Sequence, residues 1–416
     1  MKKVYTSIDI GSDTVKFITA EHYQGKNHVL AATTIKSKGI RKGLIIDSNL
    51  AINTIKDGLK ILNEKLGFEV KKVIVNVPDY NVSFMYVTGK IANDGEIDST
   101  SINNVIKESV KNKIDDEHEL VTVIPLDFII DGKENNPYPY GQICQALEVK
   151  GIMITLPKKN VYSVIGVIEG AGLEVCDITI SGLSDYHEIR NNQLDTKIGA
   201  IINVGHETTN VSIINCGKIM NTETIQLGGL NIEKDIAYVF GTNLVDARKI
   251  KEKFASATKR FINLSEKYEL TNNIGETVKL NQLEVTEVVM SRLEEIIEYA
   301  KKQILLLTKK EIEYIVITGG LTEIKSFKNL VYEKLGKDVI IYTLQEIGVR
   351  DNKYITAFGA IKYFVEKMAV RGKEYSMITT TDEELLLTPS EKKRKDKMGV
   401  SKIFKGFIRN KEETNE

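Results

Sequence analysis

The feature that most constrains the fold of this chain is a short pattern that occurs twice. Ile8-Asp9-Ile10-Gly11-Ser12-Asp13-Thr14-Val15-Lys16 ends an alternation of apolar and polar residues at Asp9, breaks at Gly11, and resumes an apolar run from Val15 to Ile18. Such alternation reads as a β-hairpin whose tight turn is Gly11-Ser12-Asp13. The turn aims backbone N–H groups and small hydroxyls at one point, which suits a phosphate chain. Asp9, at the strand end, is placed to hold a metal-bound water, and Lys16 to offset phosphate charge. Alone, the pattern favours an ordinary edge hairpin, because short glycine-rich motifs recur by accident. The second copy changes that balance. In Ile201-Ile202-Asn203-Val204-Gly205-His206-Glu207-Thr208-Thr209-Asn210-Val211, the residues Asn203, Gly205 and Thr208 each stand 194 positions after Asp9, Gly11 and Thr14. Two similar hairpins in two halves imply a duplicated fold that closes on a nucleotide from both sides.

A third piece fits these two. Tyr314-Ile315-Val316-Ile317-Thr318-Gly319-Gly320 is an apolar strand ending in a glycine pair, before a helix expected near Thr322. Without side chains, Gly319 and Gly320 let the backbone approach a sugar or base closely. At 416 residues the chain is long enough for about three domains and a large core. Its 57 basic and 57 acidic residues cancel, so no global basic field points to nucleic acid. Cys144, Cys176 and Cys216 lie far apart, which argues against a disulfide framework or zinc site and fits a reducing cytoplasm. No signal peptide precedes the first strand, and no apolar run nears the roughly 18 residues of a spanning helix. His206, in the second turn, reads as a solvent-facing loop residue.

Further along, Asn49 to Leu66 has helical spacing, with Asp47 or Ser48 as N-cap, and Lys72 to Val77 is a buried strand. An α/β module follows, with strands at Val82–Thr88, Leu120–Ile130 and Gln145–Thr155 and a helix from Ser99 or Thr100 to Val110. Leu283 to Leu307 carries a helical apolar stripe and reads as core. Gly372 to Pro389 has no sustained period and reads as a linker. After the basic cluster Lys392-Lys393-Arg394-Lys395, the residues Val400, Ile403, Phe404, Phe407 and Ile408 share one helical face, flanked by Lys402, Lys405 and Arg409. This amphipathic pattern suits an anionic bilayer surface, or the groove of a partner protein.

Together the two hairpins and the Gly319-Gly320 strand resemble the phosphate-1, phosphate-2 and adenosine segments of the actin-like ATPase superfamily. Within it the chain is most similar to the bacterial cell-division family FtsA. Ile40-Arg41-Lys42-Gly43-Leu44-Ile45-Ile46-Asp47 resembles that family's I-R-K-G-x-I-x-D run, read here as a structural turn into a helix cap. Val123 to Gly132 resembles its V-x-P-x-x-Y-x-V-D-G stretch, with Phe128 in the Tyr position. Gln226 to Ala237 resembles its GG-x-x-I-T-x-D-I-A segment, with Glu233 in place of Thr. On the next helix, Lys251 matches a residue that contacts nucleotide in the family, whereas Arg248 stands where Glu is usual.

The resemblance implies an α/β, actin-like (ribonuclease H-like) two-lobe ATPase fold with an inserted α/β subdomain and a C-terminal amphipathic helix. The first lobe would comprise 1–82, continued by 161–198 and 345–370, with the insert at 83–160. The second would comprise 199–229 and 306–344, with a small subdomain at 230–305. A linker at 371–397 and a membrane-targeting helix at 398–410 would complete the chain. ATP and Mg²⁺ are the implied cofactors. The implied nucleotide-binding residues are Asp9, Gly11, Ser12, Thr14, Lys16, Gly205, Thr208, Gly228, Gly229, Lys251, Gly319 and Gly320, with Asp9 and Asn203 holding the metal through water. FtsZ, other copies of the chain, other division proteins and the cytoplasmic membrane surface at the septum are the implied partners, with no nucleic acid. A sugar kinase, which would need a carboxylate base that the sequence does not single out although Asp185 is left open, and a pilus-assembly homologue are the alternatives. The phosphate-2 turn usually has Asp at both ends; Asn203 and Asn210 cannot supply charge or accept a proton as Asp does, which points to weak hydrolysis.

Overall fold

The computed structural model describes residues 2–271, 274–336 and 338–378, the side chains of 134–136 excepted. β1 (Lys3–Ile10) and β2 (Thr14–Tyr23) form the first hairpin, and β3 (Lys26–Lys36) pairs with β2. A small ribbon, β4 (Ile40–Arg41) and β5 (Leu44–Ile45), leads into α1 (Ser48–Leu66). Asp47 caps this helix, accepting from the Leu50 N–H at 3.0 Å. β6 (Lys72–Val77) then adds parallel to β1.

The inserted module contains β7 (Ser83–Glu96), α2 (Ser99–Val110), β8 (His118–Ile130), β9 (Lys133–Asn136) and β10 (Ile143–Pro157), in the sheet order β7-β10-β8-β9. β7 runs well past Thr88 although Ala92-Asn93-Asp94-Gly95 shows no apolar alternation. Its backbone ladder with β10, which pairs Ala92 with Ala146, extends it. Val87, Ile102, Val105, Phe128 and Val149 form the module's own core under α2. The chain returns to the first lobe through α3 (Lys158–Gly170), β11 (Glu174–Ile180) and α4 (Ser181–Ile189).

The second lobe opens with β12 (Ile198–Val204), β13 (Thr209–Asn215) and β14 (Lys218–Ile225). Its small subdomain has α5 (Gly229–Val239), α6 (Leu244–Lys253), the ribbon β15 (Lys267–Thr271) and β16 (Thr277–Asn281), and the long α7 (Gln282–Leu307). β17 (Tyr314–Thr318), α8 (Phe327–Leu335) and β18 (Val339–Ile341) finish the lobe, and α9 (Ile355–Val370) crosses back to the first. The helix expected near Thr322 begins only at Phe327. Gly319, at φ 97°, turns the chain into a short 3-10 segment, and Lys325 then bridges to Ser256 before the helix can start.

The duplication is explicit in the two sheets. One runs β3-β2-β1-β6-β11 and the other β14-β13-β12-β17-β18, each with three antiparallel strands followed by two parallel ones. The helices α4 and α9 meet between the lobes at Gly359, where a Cβ would lie 1.9 Å from the Ser184 carbonyl oxygen. Only glycine admits that approach.

Of the expected linker, 371–378 is described. Met377 is buried there, and its N–H donates to the Val4 carbonyl at 2.9 Å, so the chain packs on the first lobe before its polar stretch begins. The rest of the linker and the amphipathic helix at 398–410 lie outside the described residues. Among the described residues, no helix is long and apolar enough to cross a membrane.

A candidate nucleotide cleft between the lobes

The β1–β2 and β12–β13 turns face each other across a cleft of about 290 Å³. Both are closed by the same bond: Gly11 N–H donates to the Thr14 carbonyl at 3.2 Å, and Gly205 N–H to that of Thr208 at 2.9 Å. Of the residues singled out from sequence, Asp9, Gly11, Ser12, Thr14 and Lys16 line one wall. Asn203, Gly205 and Thr208 line the other, with Gly229, Lys251, Gly319 and Gly320 around them. Gly228 stands behind the lining. A Cβ there would come within 2.7 Å of the Gly205 and His206 carbonyl oxygens, and the neighbouring Gly229 N–H donates to the Gly205 carbonyl at 3.0 Å. The glycine pair thus braces the second turn.

Lys16, Lys251 and Arg248 at the cleft each have a carboxylate partner. Lys16 Nζ lies 2.8 Å from Asp9, and Lys251 Nζ lies 2.6 Å from Glu233. Arg248 spans the cleft from α6 to Asp13 in the first turn, at 2.9 and 2.7 Å. Burial opposes ionisation of Asp13, but the hydrogen bonds from Arg248 and Lys36 outweigh it and hold its carboxyl far below the usual range. Burial likewise opposes Glu233, and its bonds to His206 and Lys251 prevail, keeping it low.

Two buried carboxyls behave oppositely. Asp79 accepts from the Ser181 and Gly182 N–H groups at the start of α4, at 2.7 and 2.8 Å, yet burial pushes it up to about 6. Asp185 lies beneath Asn203, accepting from its Nδ2 at 2.7 Å and from the Thr356 hydroxyl at 2.7 Å. Burial, with the nearby Asp79 and Asp9, pushes Asp185 up to about 7 against those two bonds. Because Asp185 takes the amide N–H of Asn203, the Asn203 Oδ1 is left as the acceptor, on the side of Gly319. Asp185 itself does not line the cleft, so it is not placed to contact a substrate there.

Three parts of the site escaped the sequence reading. His206 is not solvent-facing; it sits inside the cleft, 3.3 Å from Glu233 and 3.9 Å from Asp13. Lys42 and Gly43 are more than a lead-in to a helix cap. They line the cleft, the Lys42 N–H bonding the Glu207 carboxylate and its Nζ bonding Gln226, both from the second lobe. Tyr80 also lines it. The one available signal was the position of His206 inside a turn already assigned to a cleft.

The cleft also fits a ligand on its own terms. Tyr80 Oη and His206 Nδ1 are buried, line it, and have no hydrogen-bond partner among the described residues. Such orphaned atoms are uncommon in a folded protein unless a ligand or water meets them. Among the described residues, no group of three or more His, Cys, Asp or Glu could hold a metal ion. A Mg²⁺ arriving with phosphates needs only one or two protein oxygens, which Asp9 and Asn203 offer.

Two lobes built on repeated sheets, with paired hairpins over a shared cleft, define the actin-like ATPase fold. Solved structures of that class align over most of the chain. The PilM–PilN type IV pilus biogenesis complex gives a TM-score of 0.58 at 12% identity, over 88% of this chain and 98% of that one. MreB5 of Spiroplasma citri bound to ADP gives 0.56 at 14%, over 88% and 97%. The family model for cell division protein FtsA matches residues 200–359, and that for the SHS2 domain inserted in FtsA matches 81–155. The cell division protein FtsA of Enterococcus hirae is 27% identical over 97% of this chain and 98% of its own length; that of Bacillus subtilis is 26% identical over 89% and 86%. The chain belongs to the FtsA family of cell division proteins.

Proposed function

We propose that the chain binds ATP with Mg²⁺ between its lobes, assembles into filaments, and anchors FtsZ to the cytoplasmic membrane at the division septum. The observation that carries the nucleotide reading is the pair of identically closed turns facing one cleft, with Gly319 and Gly320 opening its far side. The solved MreB5 structures with ADP and AMPPNP support adenine nucleotide as the occupant. Bound Mg²⁺ would neutralise phosphate charge; Asp9 and Asn203 would hold its waters. Asn203 and Asn210 are neutral, so no carboxylate stands at either end of the second turn to take a proton from water. Hydrolysis is therefore slow, and nucleotide acts by shifting the population of closed lobes and hence of filament contacts.

The inserted module supplies a filament contact, and the 230–305 subdomain, with Tyr238 90% exposed and Val245 67% exposed, supplies the surface for FtsZ. Other division proteins join the assembly. The amphipathic pattern at 398–410, with basic residues beside Phe404 and Phe407, supports tethering to an anionic leaflet. Co-sedimentation with anionic vesicles, with and without ATP, tests this by comparing the intact chain with one ending at Lys397. The intact chain is expected to pellet and the shortened one to stay in solution; equal pelleting overturns the tether. A sizeable ATPase turnover that Asp9→Ala abolishes overturns the weak-hydrolysis reading.

A further inference from the structure

Away from the cleft, three bodies enclose a smaller cavity of about 50 Å³: α4 and α9 of the first lobe, α2 and β8 of the inserted module, and the start of β14 in the second lobe. One wall is apolar, formed chiefly by Ile106, Val123, Ile124 and Leu183. The other carries the cations Arg190, Lys218, Lys367 and Arg371 against one carboxylate, Glu366. His187 adds no charge at neutral pH. Its Nδ1 donates to the Leu183 carbonyl at 2.8 Å, and burial pushes the imidazole down to about 4.

Two of the four cations are matched. Arg190 binds Asp195 at 3.0 and 2.9 Å and Glu366 at 2.7 Å, while Lys367 lies 2.7 and 2.9 Å from Asp177. The side chains of Lys218 and Arg371 have no hydrogen-bond acceptor among the described residues. With Asp177, Asp195 and Glu366 all counted, one positive charge remains in excess. Sheltering an unmatched cation is costly, and the cost disappears when an anion completes the pair. Burial is also the main cause that lowers the affinity of Lys218 for its proton.

The structure assigns this cavity as a binding site for one small oxyanion, a phosphate or carboxylate group, with Lys218 and Arg371 as the lining cations left to meet it. At about 50 Å³ against about 290 Å³ for the nucleotide cleft, its size suits a small group and not a nucleotide. Lys218 belongs to the second lobe and Arg371 ends the helix that crosses to the first, so a bound oxyanion ties the lobes together on the side away from the cleft. A charge-assisted bond to either cation is a stronger contact than a neutral one.

Thermal unfolding of the full chain in sodium phosphate, sodium acetate and sodium chloride at equal ionic strength tests the assignment. Phosphate or acetate is expected to raise the midpoint above chloride, as ligands of the native state do. Lys218→Met, which leaves the nucleotide cleft untouched, is expected to weaken that anion response about tenfold, equivalent to about 1.4 kcal/mol. In chloride alone the variant should be at least as stable as the parent, because the unmatched charge is gone. Arg371→Met provides the same reading should Lys218→Met fold poorly. No rise beyond chloride, or a rise that both variants keep, overturns the site.

Discussion

Asp13 and Arg248, 235 positions apart, close the mouth of the cleft with a two-pronged ion pair at 2.9 and 2.7 Å. One partner sits on the first hairpin turn and the other on the small subdomain of the opposite lobe. The pair therefore links the same two bodies that a nucleotide would bridge. A phosphate chain entering beside Asp13 meets like charge, and it competes for the guanidinium.

Loss of this pair should make the cleft easier to open. Both side chains are partly exposed, so the pair is worth on the order of 1 kcal/mol. Arg248→Ala is expected to raise the rates of nucleotide entry and exit by about fivefold. Stopped-flow fluorescence with a labelled ATP analogue measures both rates, and unchanged rates would remove the latch.

Asp185 sets which end of the Asn203 amide faces the cleft. In Asp185→Asn the two amides confront each other, and Asn203 gains by rotating its own oxygen toward residue 185. Its N–H then points where, on the proposed reading, Asn203 would meet a metal-bound water. Nucleotide affinity in Mg²⁺ should fall several-fold, while affinity in EDTA changes little. Asn203→Asp in the same background restores an acceptor and should recover the Mg²⁺ dependence. Titration calorimetry of the parent, both singles and the double separates these outcomes.

The same carboxyl makes stability pH-dependent in a defined direction. Its folded pKa, about 7, lies above the ordinary carboxylate value of 3.8. The folded state therefore holds the proton more tightly than the unfolded chain does. The resulting stabilisation is complete below about pH 4 and is lost as pH rises through about 7. Asp79, at about 6, acts in the same sense over a narrower window. Against Asp185→Asn, the parent should gain relative stability between about pH 8 and about pH 5 in urea titrations.

Gly359 is the tightest point between the crossing helices. Alanine there would place its Cβ 1.9 Å from the Ser184 carbonyl oxygen, which is backbone and cannot swing away. Gly359→Ala is expected to cost about 2 to 3 kcal/mol by forcing α4 and α9 apart. The denaturant midpoint of purified protein reports it, and a loss below about 0.5 kcal/mol contradicts the packing argument.

Much of the architecture was legible because it is written in local periodicity. The alternation around Asp9 and Asn203 specified two hairpins, and the constant spacing between them indicated a duplicated sheet. Asp47 and the helical spacing from Asn49 to Leu66 marked α1, and Gly67 ends it in the structure. β7 was read too short because Ala92 to Gly95 owe their strand conformation to β10, not to their own side chains.

By itself, then, the sequence determined which segments become strands and helices, where the turns fall, and that two similar halves face each other. Those are consequences of neighbours two, three or four positions apart. Only the tertiary structure decided that Arg248 reaches Asp13, that Asp185 lies under Asn203 and beside Thr356, and that His206 turns inward to Glu233. These contacts join residues from different elements, and the relative placement of those elements depends on how the lobes pack. Charge placed by packing in this way carries no local period for a sequence to display.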